Sequence, residues 1–381
     1  MNAIETSRQT KGSEQPTTPL VADLDGARLK TDLFIESVLI LIKQKPSCLF
    51  FLPLWLIRGK AHFKREVARR VVLDVPTYDR LAGETLHVRR NGLSDYLKPL
   101  RLQHWLKNIL VLVPLLAAHR FDEIGLLGRL AAAFLSFGFL ASAGYMINDL
   151  LDLAADRHHP TKRHRAFASR DLPLAYALVM IPALMAAGVW IAAAISRPFL
   201  EVVASYFALS LAYSLRFKSV VILDVILLAG LYSMRILGGA AAVGIWPSHW
   251  LLAFSTFFFF SLALVKRYSE LVIMRQVDGE HATARAYELD DSELIAAMGV
   301  ASGFLAVLVL ALYINSDEAQ ALYGRYQLIW FLCPLLLYWI GRVWLVAHRG
   351  KMPDDPLVFA LQDRTNRILV LTMLAIVVLA L

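Results

Sequence analysis

From about residue 95 onward the chain is a succession of apolar runs, at 104–119, 129–148, 172–195, 199–214, 221–242, 249–265, 294–314, 327–347 and 366–381. Several reach the roughly 18 to 20 residues needed to cross the hydrocarbon of a bilayer. The expected fold is therefore all-α: a polytopic membrane helical bundle of about nine transmembrane helices over residues 95–381. Composition agrees, with 57% hydrophobic residues and a mean hydropathy of +0.54, far above a soluble protein. The formal charge of +8 lies mostly between the runs. In such a chain it reads as topology and as contact with anionic lipid or phosphate, not as nucleic-acid binding.

The second run ends in Asn148-Asp149-Leu150-Leu151-Asp152-Leu153-Ala154-Ala155-Asp156. Carboxylates at i, i+3 and i+7 fall on one helical face at roughly 100° per residue. Three acids on one face repel each other and are costly near hydrocarbon, and a divalent cation relieves that cost. Oxygen-only ligands suit Mg²⁺, which keeps waters and bridges one or two carboxylates to substrate phosphates. The basic loop Arg157-His158-His159-Pro160-Thr161-Lys162-Arg163-His164-Arg165 follows directly. Acid face, metal and basic loop together point to a diphosphate site, with Asp149, Asp152 and Asp156 as metal ligands and catalytic acids. The bland alternative is a solvated helix end before a basic loop. Zinc is disfavoured, because His158, His159 and His164 lack helical i, i+4 spacing and sit beside Pro160.

The pattern N-D-x-x-D-x-x-x-D followed by H-P-T-K-R-x-R resembles the UbiA superfamily of intramembrane prenyltransferases. The segments Arg101-Leu-Gln-His-Trp-Leu-Lys-Asn108, Leu215-Arg-Phe-Lys-Ser-Val-Val-Ile-Leu-Asp224 and Lys266-Arg-Tyr-Ser-Glu270 are most similar to its polyprenyl-phosphate phosphoribosyltransferase branch. The resemblance implies substrate-binding roles for Lys107, Asn108, Asn148, Lys162, Arg163, Arg165, Tyr213, Lys218, Lys266 and Arg267. It places Asp224 where the superfamily carries a second acidic motif, as a further catalytic acid. Only one acid stands there, so a full second metal site is not expected. The plain alternative for Asp224 is a helix N-terminal charge complementing the dipole. Arg235, about 16 Å further along that helix, needs a partner, either a phosphate or a buried acid. Gly238-Gly239-Ala240-Ala241-Ala242 reads as close helix packing. Trp105 reads as an interfacial anchor.

Loop charge sets orientation. Fifteen lysines and arginines follow the even-numbered runs, among them Arg157, Lys162, Lys218, Lys266 and Arg349; only Arg120, Arg129, Arg197 and Arg325 follow the odd ones. By the positive-inside rule the N-terminus, the acidic motif, the basic loop, Lys218, Asp224 and Lys266 are expected on the cytoplasmic side of a plasma (inner) membrane.

Residues 1–20 read as disordered. Val21-Ala22-Asp23-Leu24-Asp25-Gly26-Ala27 resembles the nucleophile loop of haloacid-dehalogenase (HAD) phosphatases, with Ala27 in place of the family's Thr. Residues 21–94 are too few for a whole HAD domain, and Asp290-Asp291 and Asp354-Asp355 lie between membrane helices. The segment is expected to be a shortened remnant or an interfacial helical element on an anionic leaflet. Cys48 and Cys333 imply no disulfide framework.

The expected activity is Mg²⁺-dependent transfer of a phosphoribosyl group from phosphoribosyl pyrophosphate to a polyprenyl phosphate. The enzymatic alternative is joining a polyprenyl diphosphate to an aromatic acceptor. A non-catalytic membrane anchor is the alternative from another class, and the acidic face argues against it.

Overall fold

The computed structural model describes residues 28–45, 47–48, 51–71, 92–120, 123–158, 162–169, 171–277, 287–353, 355–356, 359 and 363–381. The expectations for residues 1–20 and for the loop Val21–Ala27 fall outside them. The chain divides into two compact units, Met1–Arg89 and Arg90–Leu381.

In the first unit, helices α1 (Arg28–Gln44), α2 (Leu52–Ile57) and α3 (Lys60–Ala68) close around Leu41, Cys48, Trp55, Phe63 and Val67. Gly59 turns the corner between α2 and α3 at φ +103°, a conformation that favours glycine. The described residues of this unit include no strand.

The second unit is a helical bundle. Its long helices are α4 (Ile124–Leu151), α5 (Leu174–Ile195), α6 (Arg197–Leu215), α7 (Leu223–Val243), α8 (His249–Val277), α9 (Ser292–Ile314), α10 (Leu332–His348) and α11 (Arg364–Ala380). Seven helical segments among the described residues are long and apolar enough to cross a membrane, those built on α4 to α10. Two of the nine expected spans are shorter. The last run is the 17-residue α11. The first run is an 11-residue 3₁₀ helix, Leu102–Leu112, followed by one α-helical turn, Val113–Ala117. Pro114 stands in the first turn of that α segment, where its missing N–H costs nothing.

The 3₁₀ helix is fastened to α4. Trp105 Nε1 donates to Ser142 Oγ at 3.0 Å, and Ser142 Oγ donates to the Leu100 carbonyl at 2.7 Å. The Trp105 ring lies so close over Gly138 that a Cβ there would come within 2.8 Å of it. Trp105 is thus a packing residue rather than an interfacial anchor.

Helix α8 also departs from expectation. It does not end at Lys266–Glu270 but runs on to Val277, 29 residues in all. Arg267 and Glu270 pair with each other, which lets charged side chains remain on a continuous helix.

Helix α7 is the wall shared by two cores. Val225, Ala229, Tyr232 and Ile236 face the core formed with α8 to α11. Leu231, Ala242 and Val243 face the core formed with the 3₁₀ helix, α4, α5 and α6. Small residues make this possible, as the glycine-rich sequence implied. A Cβ on Gly239 would fall 2.0 Å from the Val111 carbonyl oxygen, and one on Gly238 would fall 2.5 Å from the Phe137 ring. Outside the bundle, α5 and α11 turn Leu178, Val179, Trp190, Leu371 and Val378 outward, as lipid-facing helices do.

Gly239→Ala should therefore separate α7 from the 3₁₀ helix and destabilise the bundle by about 1–3 kcal/mol. A lower melting temperature in detergent is the expected result; an unchanged one would contradict this packing.

Candidate active site

The acidic motif is not one continuous helix. α4 ends at Leu151, Asp152 leaves it at φ −96°, ψ 8°, and a short helix restarts over Leu153–His158. The i→i−4 hydrogen bonds nevertheless run on through the junction, Asp152 N–H to the Asn148 backbone carbonyl at 2.9 Å and Asp156 N–H to that of Asp152 at 2.8 Å, and the three carboxylates take different partners. Asp149 and Asp156 are both buried and share one cation: Arg165 Nη1 lies 3.1 Å from Asp149 Oδ1 and 2.7 Å from Asp156 Oδ2. Arg101 Nη2 adds a 2.5 Å contact to Asp149 Oδ1. Asp152 pairs instead with Lys218, Nζ to Oδ2 at 2.6 Å. The side chain of Asn148 is half-buried beside them, and its carbonyl accepts the Asp152 N–H.

Arg165 comes from the basic loop, whose 3₁₀ turn Lys162–His164 is exposed. His159, Pro160, Thr161 and Arg170 lie outside the described residues. Among the described residues no three His, Cys, Asp or Glu side chains lie close enough to chelate a bare ion. The donor set still fits the Mg²⁺ that the motif implies. Two oxygen-only ligands, Asp149 and Asp156, already converge on one cationic nitrogen, and Mg²⁺ needs only one or two carboxylates beside substrate phosphates and water.

Three further cations, Lys107, Arg235 and Arg267, each have protein partners. Lys107 forms a buried ion pair with Asp355, and its Nζ lies 5.4 Å from the Tyr232 ring centroid. Asp355 was set aside in the sequence as part of a loop acid pair; here it belongs to the site. Burial works to raise its carboxyl, but Lys107 and then Lys266 outweigh that and hold it below the usual carboxylate range. Asn108 is fully buried; its Oδ1 accepts from Arg235 Nε at 3.0 Å. Arg235 also donates to the Leu231 carbonyl at 2.7 Å and to Tyr206 Oη at 2.8 Å. Among the described residues the partners of Arg235 are Asn108, Tyr206 and the Leu231 carbonyl, none of them an acid.

Asp224 is sealed. It is 0% exposed, one oxygen taking Arg267 Nε and the other accepting the Tyr287 hydroxyl at 2.6 Å. Arg267 Nη1 pairs with Glu270, and Nη2 donates to Tyr213 Oη at 2.8 Å. Asp224, Arg267 and Tyr213 form one buried cluster, in which each Asp224 oxygen has a protein partner. Lys266, the neighbour of Arg267, makes no ion pair or hydrogen bond among the described residues and is half-buried.

Between Lys218 and Asp224 the backbone is strained. Ile222 adopts φ 65°, ψ −45°, and the Leu223 N–H reaches back to the Val221 carbonyl at 2.7 Å, forming a γ-turn. Positive φ at a β-branched residue costs of order 1–3 kcal/mol and persists only where its surroundings hold it. Tyr287 does so, since its hydroxyl accepts the Ile222 N–H at 2.8 Å while donating to Asp224.

Arg101, Asp355 and Tyr287 were not singled out in the sequence. Arg101 heads the quoted segment and could have been found as the charge nearest the run. Tyr287 carries no sequence signal. Tyr287→Phe should lower stability by about 1–3 kcal/mol, the cost of an unsatisfied buried group. Adding Ile222→Gly should recover part of that loss by relieving the turn. Independent, additive melting shifts would contradict the coupling.

The profile of the UbiA prenyltransferase family matches residues 109–361. The nodulation protein NoeC of Azorhizobium caulinodans is 37% identical over 276 residues, 72% of this chain and 90% of that protein. An uncharacterized protein of Sinorhizobium fredii, y4nM, is 35% identical over 280 residues; this is 73% of the chain but only 54% of that protein's length. The decaprenyl-phosphate phosphoribosyltransferase of Mycobacterium tuberculosis is 29% identical over 295 residues, 75% of this chain and 94% of that enzyme. Among solved structures, a UbiA homologue from Archaeoglobus fulgidus bound to GPP and Mg²⁺ superposes with a TM-score of 0.55 at 16% identity, covering 74% of this chain and 99% of that one.

Proposed function

The chain belongs to the UbiA prenyltransferase family, and we propose that within it the protein transfers a phosphoribosyl group from phosphoribosyl pyrophosphate to a polyprenyl phosphate. Membership makes it a membrane transferase. The finer reading is supported by the relatives that are named decaprenyl-phosphate phosphoribosyltransferase. The observation that carries it is the sealing of Asp224. With that acid committed to Arg267 and Tyr287, a single acidic motif is left to hold a diphosphate. Around it stand three cations, Arg101, Arg165 and Lys218, each on a carboxylate of the motif, more than one diphosphate needs beside a divalent cation. Two phosphate-bearing substrates account for that surplus.

In this reading Asp149 and Asp156, with Asp152 beside them, hold Mg²⁺, which when bound supplies charge neutralisation for the departing pyrophosphate. Arg101, Arg165 and Lys218 then exchange their carboxylate partners for phosphate oxygens. Asn148, next to Asp149, and the exposed Lys162 and Arg163, on the loop that supplies Arg165, would add further contacts to the phosphates. An oxygen of the lipid phosphate attacks the anomeric carbon; the bond from that carbon to the pyrophosphate oxygen breaks, and its electron pair leaves with pyrophosphate. The attacking oxygen is already anionic, so no strong general base is required. The lipid tail lies among outward-facing apolar helices. Loop charge favours a site on the cytoplasmic side of the plasma membrane.

Asp149→Ala and Asp152→Ala should abolish transfer with the fold retained, and excess EDTA should do the same to the wild type. Full turnover in EDTA would sink the metal-dependent reading.

Lys218→Met should weaken use of phosphoribosyl pyrophosphate by about ten- to a hundredfold, since a charge-assisted hydrogen bond contributes about 1.5–3 kcal/mol. Saturation curves for donor and lipid phosphate check this. Transfer seen only from a prenyl diphosphate to an aromatic acceptor would favour the other family activity.

A further inference from the structure

The core of the first unit takes little from α2. Within Leu52–Ile57 only Trp55 is fully drawn inward, with Leu52 half-buried beside it. Phe51, Leu54, Leu56 and Ile57 stand exposed, Ile57 by 83%. Four large apolar side chains turned outward within seven residues form a patch that contact with water alone does not account for.

The patch ends at a protruding corner. Gly59 makes the turn at positive φ, and no atom lies within 4 Å of the place its Cβ would take. Arg58 and Lys60 flank this glycine and are exposed, directly after Leu56 and Ile57. On α3 the inward residues are Phe63 and Val67, one turn apart, while Arg65 and Arg69 are exposed. From Arg58 to Arg70 the chain carries six lysines and arginines against one acid, Glu66. Arg69 and Arg70 engage that acid, and Arg70 also stands 4.7 Å over the Trp55 ring. Arg58, Lys60, Lys64 and Arg65 make no ion pair among the described residues.

An apolar patch edged by cations fits one environment well. A hydrophobic protein groove would bury the leucines but strip water from the cations. An acidic protein surface would pair the cations but leave the apolar side chains wet. An anionic bilayer surface offers hydrocarbon and phosphate within about 5–10 Å of each other, which serves both. The bilayer is also within the chain's own reach, because the second unit contains helices long and apolar enough to cross a membrane. Covalent linkage to them gives the corner a high effective concentration at the bilayer, so a modest contact suffices. Loop charge favours the cytoplasmic side for the N-terminus, where anionic lipid is concentrated.

We propose that the corner built by α2, Gly59 and the start of α3 is a peripheral membrane contact. Leu54, Leu56 and Ile57 enter the boundary between headgroups and acyl chains of an anionic leaflet, and Arg58, Lys60 and Lys64 pair with lipid phosphates. The first unit is thereby held against the membrane surface. This contact does not depend on the transfer reaction proposed above.

The test uses the full-length protein in lipid nanodiscs, one set of phosphatidylcholine alone and one of phosphatidylcholine mixed with phosphatidylglycerol. A nitroxide on Ile57→Cys, with Cys48→Ala and Cys333→Ala, reports collisions with oxygen, which concentrates in hydrocarbon, and with a nickel chelate, which stays in water. In the mixed discs oxygen should reach the label and the chelate should not. Arg58→Glu with Lys60→Glu should shift the corner from lipid toward water by about ten- to a hundredfold. Free access of the chelate in the mixed discs would overturn the proposal. Exclusion of both reagents would also overturn it, because protein would then cover the corner, whether the second unit or another copy. Equal immersion in the two lipids, unmoved by the charge reversal, would overturn the assignment to anionic lipid. Should the cysteine variants misfold, tryptic cleavage of the wild type after Arg58 and Lys60 decides. It should be slower in the mixed discs than in phosphatidylcholine, and equal rates would overturn the proposal.

Discussion

A cation buried among apolar helices must be met by a specific partner, because leaving one uncompensated costs several kcal/mol. Three such cations organise this bundle. Lys107 draws Asp355 from the segment before α11 onto the 3₁₀ helix. Arg235 joins α7 to the 3₁₀ helix through Asn108 and to α6 through Tyr206. Arg267 joins α8 to α7 through Asp224 and to α6 through Tyr213. Each pairing spans elements far apart in sequence, so each also specifies which helices are neighbours. Removing one partner would leave a charge in a low-dielectric interior, which is a stronger constraint than the contact it breaks.

Helix α7 can meet partners on both sides because it is thin where it must be. Gly238 and Gly239 admit the Phe137 ring and the Val111 carbonyl at distances no larger side chain allows. Without aqueous surroundings to drive association, such close approach is what holds membrane helices together. That approach in turn brings Arg235 within hydrogen-bonding distance of Asn108. Packing and polar satisfaction are thus one requirement met by the same few residues.

The chemistry of the site follows from which charges stay available. Asp224 and Arg267 neutralise each other in full burial, and Tyr287 adds its hydroxyl while restraining the strained turn at Ile222. The acidic motif is different: Asp149, Asp156, Asp152, Arg101, Arg165 and Lys218 are paired with one another at ordinary contact distances, and the proposed function has a diphosphate and a divalent cation enter by exchange with these pairs.

Much of this was legible in the residues. Apolar runs announced a membrane bundle because the bilayer sets a minimum span that composition cannot hide. The acidic stretch and the basic loop after it stood out as groups that need partners, and in the fold Arg165 of the loop contacts Asp149 and Asp156. Glycines announced close packing because nothing else fits there. Three-dimensional partnership was not legible. The sequence offered Arg235 a phosphate or an acid, and folding gave it Asn108 and Tyr206. It offered Asp224 to catalysis, and folding closed Arg267 and Tyr287 over it. It passed over Asp355, which folding set against Lys107. Nor did hydropathy distinguish a 3₁₀ helix from an α-helix over Leu102–Leu112, because both bury the same residues and differ only in winding. A sequence fixes which groups are too costly to leave unpaired; only the folded chain, bringing distant helices within 3 Å or so of one another, decides what each is paired with.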